Sequence, residues 1–244
     1  MTAPRVRLLP CVVADGGWNM AADDALLESA SAGVASLRFY GWERPTLSLG
    51  YFQPADPARA HDGLEQLAWL RRPSGGAALV HHHELTYALA LPAGPTWQPA
   101  GEPWPVRFHR VIQAALAELG VTTCLCATEQ RFGDVLCFLH HTPGDVLLGA
   151  CKIVGSAQRK GRGALLQHGG ILLAQSPHTR LLPGIAELTG RTVAASELQT
   201  LLVVQLARVT AWAIEPADWT PDETAFIPTR LACRYHAAAW NQKR

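Results

Sequence analysis

Residues 145–170, DVLLGACKIVGSAQRKGRGALLQHGG, constrain the fold more than any other stretch of this chain. Two apolar runs, 145–148 and 152–158, read as strands, and Gly161-Arg162-Gly163 turns the chain into a long third strand over 164–174. Lys152 enters a segment of small and apolar residues, Ile153, Val154, Gly155, Ser156 and Ala157. A cation among small residues lies close to backbone that a bulky ligand can approach. The plainer alternative is a hairpin whose lysine sits in solvent.

The rest of the chain supplies neighbours for these strands. Residues 6–13 read as a first strand, and Asn19 as the N-cap of a helix to Ser29 that faces Leu26, Leu27 and Ala30 to the core. Strands are expected over 37–42, 46–50, 77–80 and 85–91, a short helix end over 64–69, and a short strand over 121–126. Val111, Ile112, Ala115, Leu116 and Leu119 recur at helical spacing, and Gly120 stops that helix, predicted over 106–119. Residues 196–213 carry a clear apolar helical face, and 221–240 a weaker one. With strands clustered in the middle and no internal repeat or linker, an α+β chain of one domain over 1–244 is expected.

The 244 residues can bury a substantial core, and 48% hydrophobic against 17% charged residues excludes a disordered chain. A net charge of +1 gives no global attraction for nucleic acid. No apolar run reaches the roughly 18 residues of a membrane span, and the N-terminus lacks a signal-peptide pattern, so a cytoplasmic protein is expected. Six cysteines (11, 124, 126, 137, 151, 233) show neither disulfide-framework nor zinc spacing, so most are expected to be small buried hydrophobes.

Three motifs carry chemistry. Arg71-Arg72-Pro73-Ser74-Gly75-Gly76 sets two guanidiniums beside backbone that a ligand can approach, though no Gly-Lys-Ser/Thr closes it as a nucleotide loop. His81-His82-His83-Glu84 invites a metal, but strand alternation puts only His81 and His83 on one face, with Glu84 beside His82. One histidine lining a pocket is the better reading, and no metal is expected. Cys137 sits among Phe132, Leu136, Phe138 and Leu139, where burial alone makes a thiol inert. An ammonium such as Lys152 does the reverse and makes a nucleophile of it; the rival thiol is Cys151.

Together these segments resemble the biotin/lipoate protein ligase superfamily. RRPSGGAALVH at 71–81 resembles its RRxSGG…H element, KIVGSAQ at 152–158 with QHG at 167–169 its K-I-x-G-S-A-Q…H-G element, and Asn19-Met-Ala-Ala-Asp23 its N-terminal helix. The resemblance implies a mixed β-sheet flanked by helices, related to the catalytic domain of class II aminoacyl-tRNA synthetases. It implies a substrate site built from Arg71, Arg72, Ser74, Gly75, Gly76, His81, Gly155, Ser156, Ala157, His168 and Gly169.

Two chemistries compete within that superfamily: ATP- and Mg²⁺-dependent lipoate–protein ligation, and cysteine-dependent octanoyl transfer without a cofactor. Glu84-Leu85-Thr86-Tyr87 and Cys137-Phe138, followed by Lys152, look most like the octanoyltransferases. No separate C-terminal accessory domain is expected, which points the same way. This implies Cys137 and Lys152 as catalytic residues, octanoyl acyl carrier protein as donor, and a lipoyl domain or glycine-cleavage carrier as acceptor. A noncatalytic lipoyl-handling protein is the third reading. The acyl chain is expected in an apolar tunnel floored by residues 74–76 and 155–157, with backbone N–H groups there holding the oxyanion. Arg71, Arg72, Arg159, Lys160 and Arg162 are expected to form a local basic cluster that steers acidic carriers. His82, His83, His140 and His141 depart from the family pattern and receive no role.

Overall fold

In the computed structural model, which describes residues 3–60 and 63–243, the N-terminal apolar residues form β1 (Arg5–Leu8) and β2 (Val12–Ala14), followed by α1 (Gly16–Ser31). The cap of α1 is Asp15 rather than Asn19: its carboxylate accepts from the Gly17 N–H at 2.8 Å, satisfying one orphan donor of the first turn. Asn19 is buried inside the helix and donates to the Gly41 carbonyl at 3.0 Å. Leu26, Leu27 and Ala30 face the core as the periodicity predicts. Next come β3 (Ala35–Trp42), β4 (Thr46–Leu49), a short α2 (Ala55–Arg59) and β5 (Ala68–Arg71). The helix end expected over 64–69 is instead a turn closed by Leu67 N–H to the Leu64 carbonyl, and then strand. Parallel pairing of Leu47 with Trp69 and burial of Leu70 win over helical propensity there.

The chain continues through β6 (Leu79–His81), β7 (Glu84–Leu91), α3 (Trp104–Glu118), β8 (Cys124–Leu125), β9 (Gln130–Arg131) and β10 (His140–His141). Then follow β11 (Val146–Leu148), β12 (Cys151–Gly161), β13 (Ala164–Leu172), α4 (Ile185–Thr189), α5 (Ala195–Thr210), β14 (Ala213–Pro216), α6 (Pro221–Arg230) and α7 (Ala238–Asn241). The main mixed sheet runs β14-β1-β3-β7-β13-β12-β11-β8, with β2 paired to β3; a smaller sheet runs β5-β4-β6. At its centre β13 pairs antiparallel with both β7 and β12, so the predicted hairpin is the spine of the molecule.

Strand alternation divides the core in two. Leu165 and Ile171 of β13, with Tyr87 and Leu89 of β7, pack against α3 and α5; Ala164 and Leu166, with Ala88 and Ala90, pack against α1 and α6. Tyr40, Ala157 (opposite His168) and Arg159 (opposite Leu166) share the α1 face. A third apolar cluster joins Leu47, Leu49, Ala78 and Val80 of the small sheet region to Leu136 and Phe138. The cysteine expectation needs correction: Cys11, Cys124 and Cys233 are exposed, Cys137 and Cys151 half-buried, and Cys126 is buried. The exposed ones lie on connecting backbone, on an edge strand and after α6, where no apolar layer covers them. Among the described residues no helix is long and apolar enough to cross a membrane.

α6 is tied to the sheet by Glu223, which is buried and accepts from Arg7 at 2.5 Å, Ser29 Oγ at 2.6 Å and Thr220 N–H at 2.9 Å. Burial pushes its carboxyl up, but the Arg7 and Ser29 hydrogen bonds and the Thr220 amide outweigh burial and hold it below the usual range. A depressed carboxyl contributes stability above its unfolded value and loses that contribution as pH falls through the folded one. Urea midpoints measured from pH 7 downward should therefore show wild type losing its advantage over Glu223→Gln as pH falls below the ordinary glutamate range. A constant difference across that range is the contrary result.

Candidate active site

The Cys137–Leu139 turn is held from both sides. Ala78 N–H donates to the Val135 carbonyl at 2.9 Å and Cys137 N–H to the Ala78 carbonyl at 2.7 Å, while Leu136 and Phe138 are buried beneath. These contacts fix the backbone and leave the Cys137 thiol half-buried at the wall of a cavity of about 380 Å³.

Lys152 enters the same cavity from β12. A register shift between Val146 and Leu147 locally alters the β11–β12 pairing, so that Leu147 pairs with Lys152 while Val146 pairs with Val154. The Lys152 ammonium lies 4.0 Å from Cys137 Sγ and is only 5% exposed as a residue. It donates to Asp145 Oδ2 at 2.7 Å, the His140 carbonyl at 3.0 Å and the Cys137 carbonyl at 3.4 Å. Asp145 is itself oriented by Thr142 N–H at 2.7 Å and Thr142 Oγ1 at 2.9 Å. The lysine is thus a buried, fully engaged cation beside a thiol.

Gly155 gives that side chain its room: a Cβ there would stand 2.7 Å from Lys152 Cε. Gly155→Ala should displace the ammonium and slow acylation of Cys137 on the order of 10- to 100-fold, with a small change in melting temperature. Burst acylation kinetics check this; wild-type rates would show that the lysine position is not critical.

Arg72 encircles the next loop. Its guanidinium donates to the carbonyls of Ser48, Gly75 and Ala77 at 3.0, 2.7 and 2.7 Å, fixing the glycines that line the cavity. Burial pushes this guanidinium down, and the negative form of Cys137 acts in the opposite direction. Arg71 is elsewhere. It is 0% exposed and donates to the Gly50 and Gln53 carbonyls at 2.8 and 2.6 Å and to the Asn241 carbonyl at 3.1 Å. It pins α7 to β5 and does not line the cavity. The expected local basic cluster is therefore corrected. Arg71 and Arg72 are interior, Arg159 pairs with Asp24 and Arg162 with Glu28, and only Lys160 is an exposed cation outside these pairs.

His81 lines the cavity, stacked on Trp42 at 3.7 Å, with Nδ1 on Glu84 Oε1 at 2.6 Å and Nε2 on Ser48 Oγ at 2.8 Å. This corrects the strand reading of 81–84. His82 and His83 form the turn between β6 and β7, so Glu84 returns beside His81. His82 stacks on His83 at 3.6 Å and contacts Ser176. His140 turns its ring to Glu129, and His141 packs edge-on to Phe132. Burial and the Lys152 ammonium push the His141 imidazole down, Asp145 opposing. Among the described residues no group of three or more His, Cys, Asp or Glu side chains is arranged to hold a metal ion.

Gly75, Gly76, Gly155, Ser156, Ala157, His168 and Gly169 all line the cavity, together with Met20, Tyr40 and Thr86. Ser74 is buried next to the lining Gly75, with Oγ 2.5 Å from His168 Nε2. His168 Nδ1 lies 3.0 Å from Asp23 Oδ2. Sequence reasoning left Asp145, Thr142 and Tyr40 without roles, and used Asp23 only as a helix residue. A buried lysine requires a carboxylate, and Thr142-Pro143-Gly144-Asp145 just upstream is the signal that points to one.

A mixed sheet carries these motifs around this cavity, and the chain belongs to the lipoyl protein ligase A/B catalytic domain family, whose model matches residues 15–195. It is similar to the octanoyltransferase LipM of Geobacillus kaustophilus, 30% identical over 93% of this chain and 94% of that protein. The octanoyltransferase LipM of Moorella thermoacetica is 30% identical across the full length of both. In fold it is similar to lipoate-protein ligase A solved with ATP, with a TM-score of 0.76, 19% identity, and 99% of both chains covered. The bipartite lipoate protein ligase of Thermoplasma acidophilum gives a TM-score of 0.72 at 18% identity, covering 99% of this chain and 97% of that one.

Proposed function

We propose that this protein is an octanoyltransferase that moves an octanoyl group from acyl carrier protein, through a thioester on Cys137, to a lysine of a lipoyl domain or glycine-cleavage carrier. The observation that carries the reading is the Cys137 Sγ–Lys152 Nζ approach of 4.0 Å at the wall of the cavity. The likeness to two octanoyltransferases at 30% identity supports the same chemistry.

In the first half-reaction the Cys137 sulfur attacks the donor's thioester carbonyl. A new C–S bond forms, the donor's C–S bond breaks, and the donor thiol leaves with a proton. In the second, the acceptor amine attacks, its nitrogen sheds a proton as the amide forms, and the C–S bond to Cys137 breaks with its electron pair returning to the sulfur. Lys152 sits where negative charge gathers in both steps. The backbone of Gly75–Ala77, held in place by Arg72, supplies N–H groups for the oxyanion, and Gly155 and Ala157 leave space for the acyl chain. A thioester donor is already activated, so this reading uses no nucleotide.

The test is transfer from octanoyl acyl carrier protein to a purified lipoyl domain without ATP, followed by intact mass of the acceptor. Octanoylation under these conditions is expected. Modification that requires ATP and a free acid, and survives Cys137→Ser, would replace this reading with ligation.

A further inference from the structure

Aminolysis of a thioester makes two opposite demands. The leaving sulfur needs a cation nearby, and the attacking nitrogen, once bonded to carbon, must shed a proton. Lys152 meets the first demand and is unsuited to the second. An ammonium has three donors and no lone pair, and Lys152 faces three acceptors, on Asp145, His140 and Cys137.

A second centre faces the same cavity. His168 lines it from β13, opposite Ala157, whereas the Lys152 side chain lies against Gly155, two residues earlier on the paired strand. That separation along the strand is about 6.6 Å. Asp23 lies 3.0 Å from His168 Nδ1, and a carboxylate can only accept, so Nδ1 carries a proton, and the tautomer that acts as a base holds its lone pair on Nε2. In that tautomer Ser74 Oγ, 2.5 Å away, donates to Nε2. Behind Asp23 stand the Tyr40 hydroxyl at 3.1 Å and the Arg38 guanidinium at 3.6 Å, both from β3. A carboxylate that orients a neutral imidazole toward a hydroxyl is the arrangement of a general base.

The other histidines at the cavity are less suited. His81 has a similar pair in Glu84 and Ser48, but Arg72 also donates to Ser48 Oγ at 3.2 Å, so a protonated His81 would share that hydroxyl with a second cation. His140 turns its Nε2 to Glu129 and Arg131, away from Lys152.

We propose that His168, reached through the Ser74 hydroxyl and oriented by Asp23, is the general base of the second half-reaction, a role that rests on the Cys137 thioester reading above. The acceptor attacks as its neutral amine, forming the C–N bond. The nitrogen then loses a proton to Ser74 Oγ as the Ser74 proton passes to His168 Nε2. The C–S bond breaks with its electron pair left on Cys137 beside Lys152, and the imidazolium returns its proton to solvent. The two acid–base tasks are thus divided between two positions on one cavity.

The experiment separates the half-reactions. Enzyme is loaded with octanoyl acyl carrier protein, loading is followed by intact mass, and the octanoyl-enzyme is then discharged in single turnover by a lipoyl domain or by hydroxylamine. Hydroxylamine is weakly basic and sheds its proton to water, so it has little need of a protein base. His168→Gln should slow lysine discharge by about 10²- to 10³-fold more than it slows loading or hydroxylamine discharge. Ser74→Ala should show the same split at about tenfold, which keeps the test available if His168→Gln folds poorly; imidazole should partly restore His168→Gly. Loss of both discharges together, or lysine discharge near wild type, overturns the proposal. Wild type that never loads sinks the thioester reading, and this inference with it.

Discussion

Cys137→Ser is expected to abolish octanoyl transfer, by more than about 10³-fold, while leaving the fold intact. The substitution is nearly isosteric, and the backbone that positions it is held by the Ala78 carbonyl and by buried Leu136 and Phe138, none of which depends on sulfur. What changes is reactivity. A serine hydroxyl needs a base to remove its proton, and the neighbouring Lys152 side chain is engaged with Asp145 and with the His140 and Cys137 carbonyl oxygens. A thiol gives up its proton far more readily and is the better nucleophile without that help. Single-turnover acylation with octanoyl acyl carrier protein reads the loss directly, and unchanged thermal unfolding shows that it is chemical. Substantial activity in the serine variant would move the chemistry away from Cys137.

The second large effect is at the buried ion pair. Lys152→Met should slow acylation by about 10²- to 10⁴-fold, because the sulfur loses its cation. It should also destabilise the protein by about 3–5 kcal/mol, the usual cost of leaving one member of a buried pair without its partner. Asp145 is 5% exposed, and its two other donors both come from Thr142. Adding Asp145→Asn to Lys152→Met removes the orphaned charge, so the double variant should regain most of the stability and none of the activity. Urea denaturation and acylation rates measured on the single and double variants separate the two roles. Activity that returns together with stability would make Lys152 a structural residue only.

The parts of this molecule with regular periodicity were legible from sequence. The 164–174 strand appears as Ala164–Leu172, and the 106–119 helix as Trp104–Glu118, because each buries one periodic face. The motif order 71–81, 152–158 and 167–169 pointed to the right family, and the structure lines one cavity with most of those residues.

Partnerships between distant segments were not legible. Arg71 and Arg72 read as part of a local basic cluster, yet both are interior, neutralised by backbone carbonyls that only the folded loops at 48–53 and 75–77 bring together. Lys152 was visible as a cation, but its carboxylate lies across a hairpin whose register shifts between Val146 and Leu147. Ser74, His168 and Asp23 were each picked out in separate motifs. Their chain of hydrogen bonds requires α1, the 74–76 loop and β13 to meet, which no local pattern encodes.

The central claim is that Cys137, beside Lys152, carries the acyl group. Incubation of wild-type protein with octanoyl acyl carrier protein in the absence of acceptor, followed by intact mass and peptide mapping, tests it most directly. One octanoyl group per chain on the peptide containing Cys137, released by hydroxylamine and absent from Cys137→Ser, is the predicted result. No adduct, or an adduct on Cys151 that persists in Cys137→Ser, would contradict it.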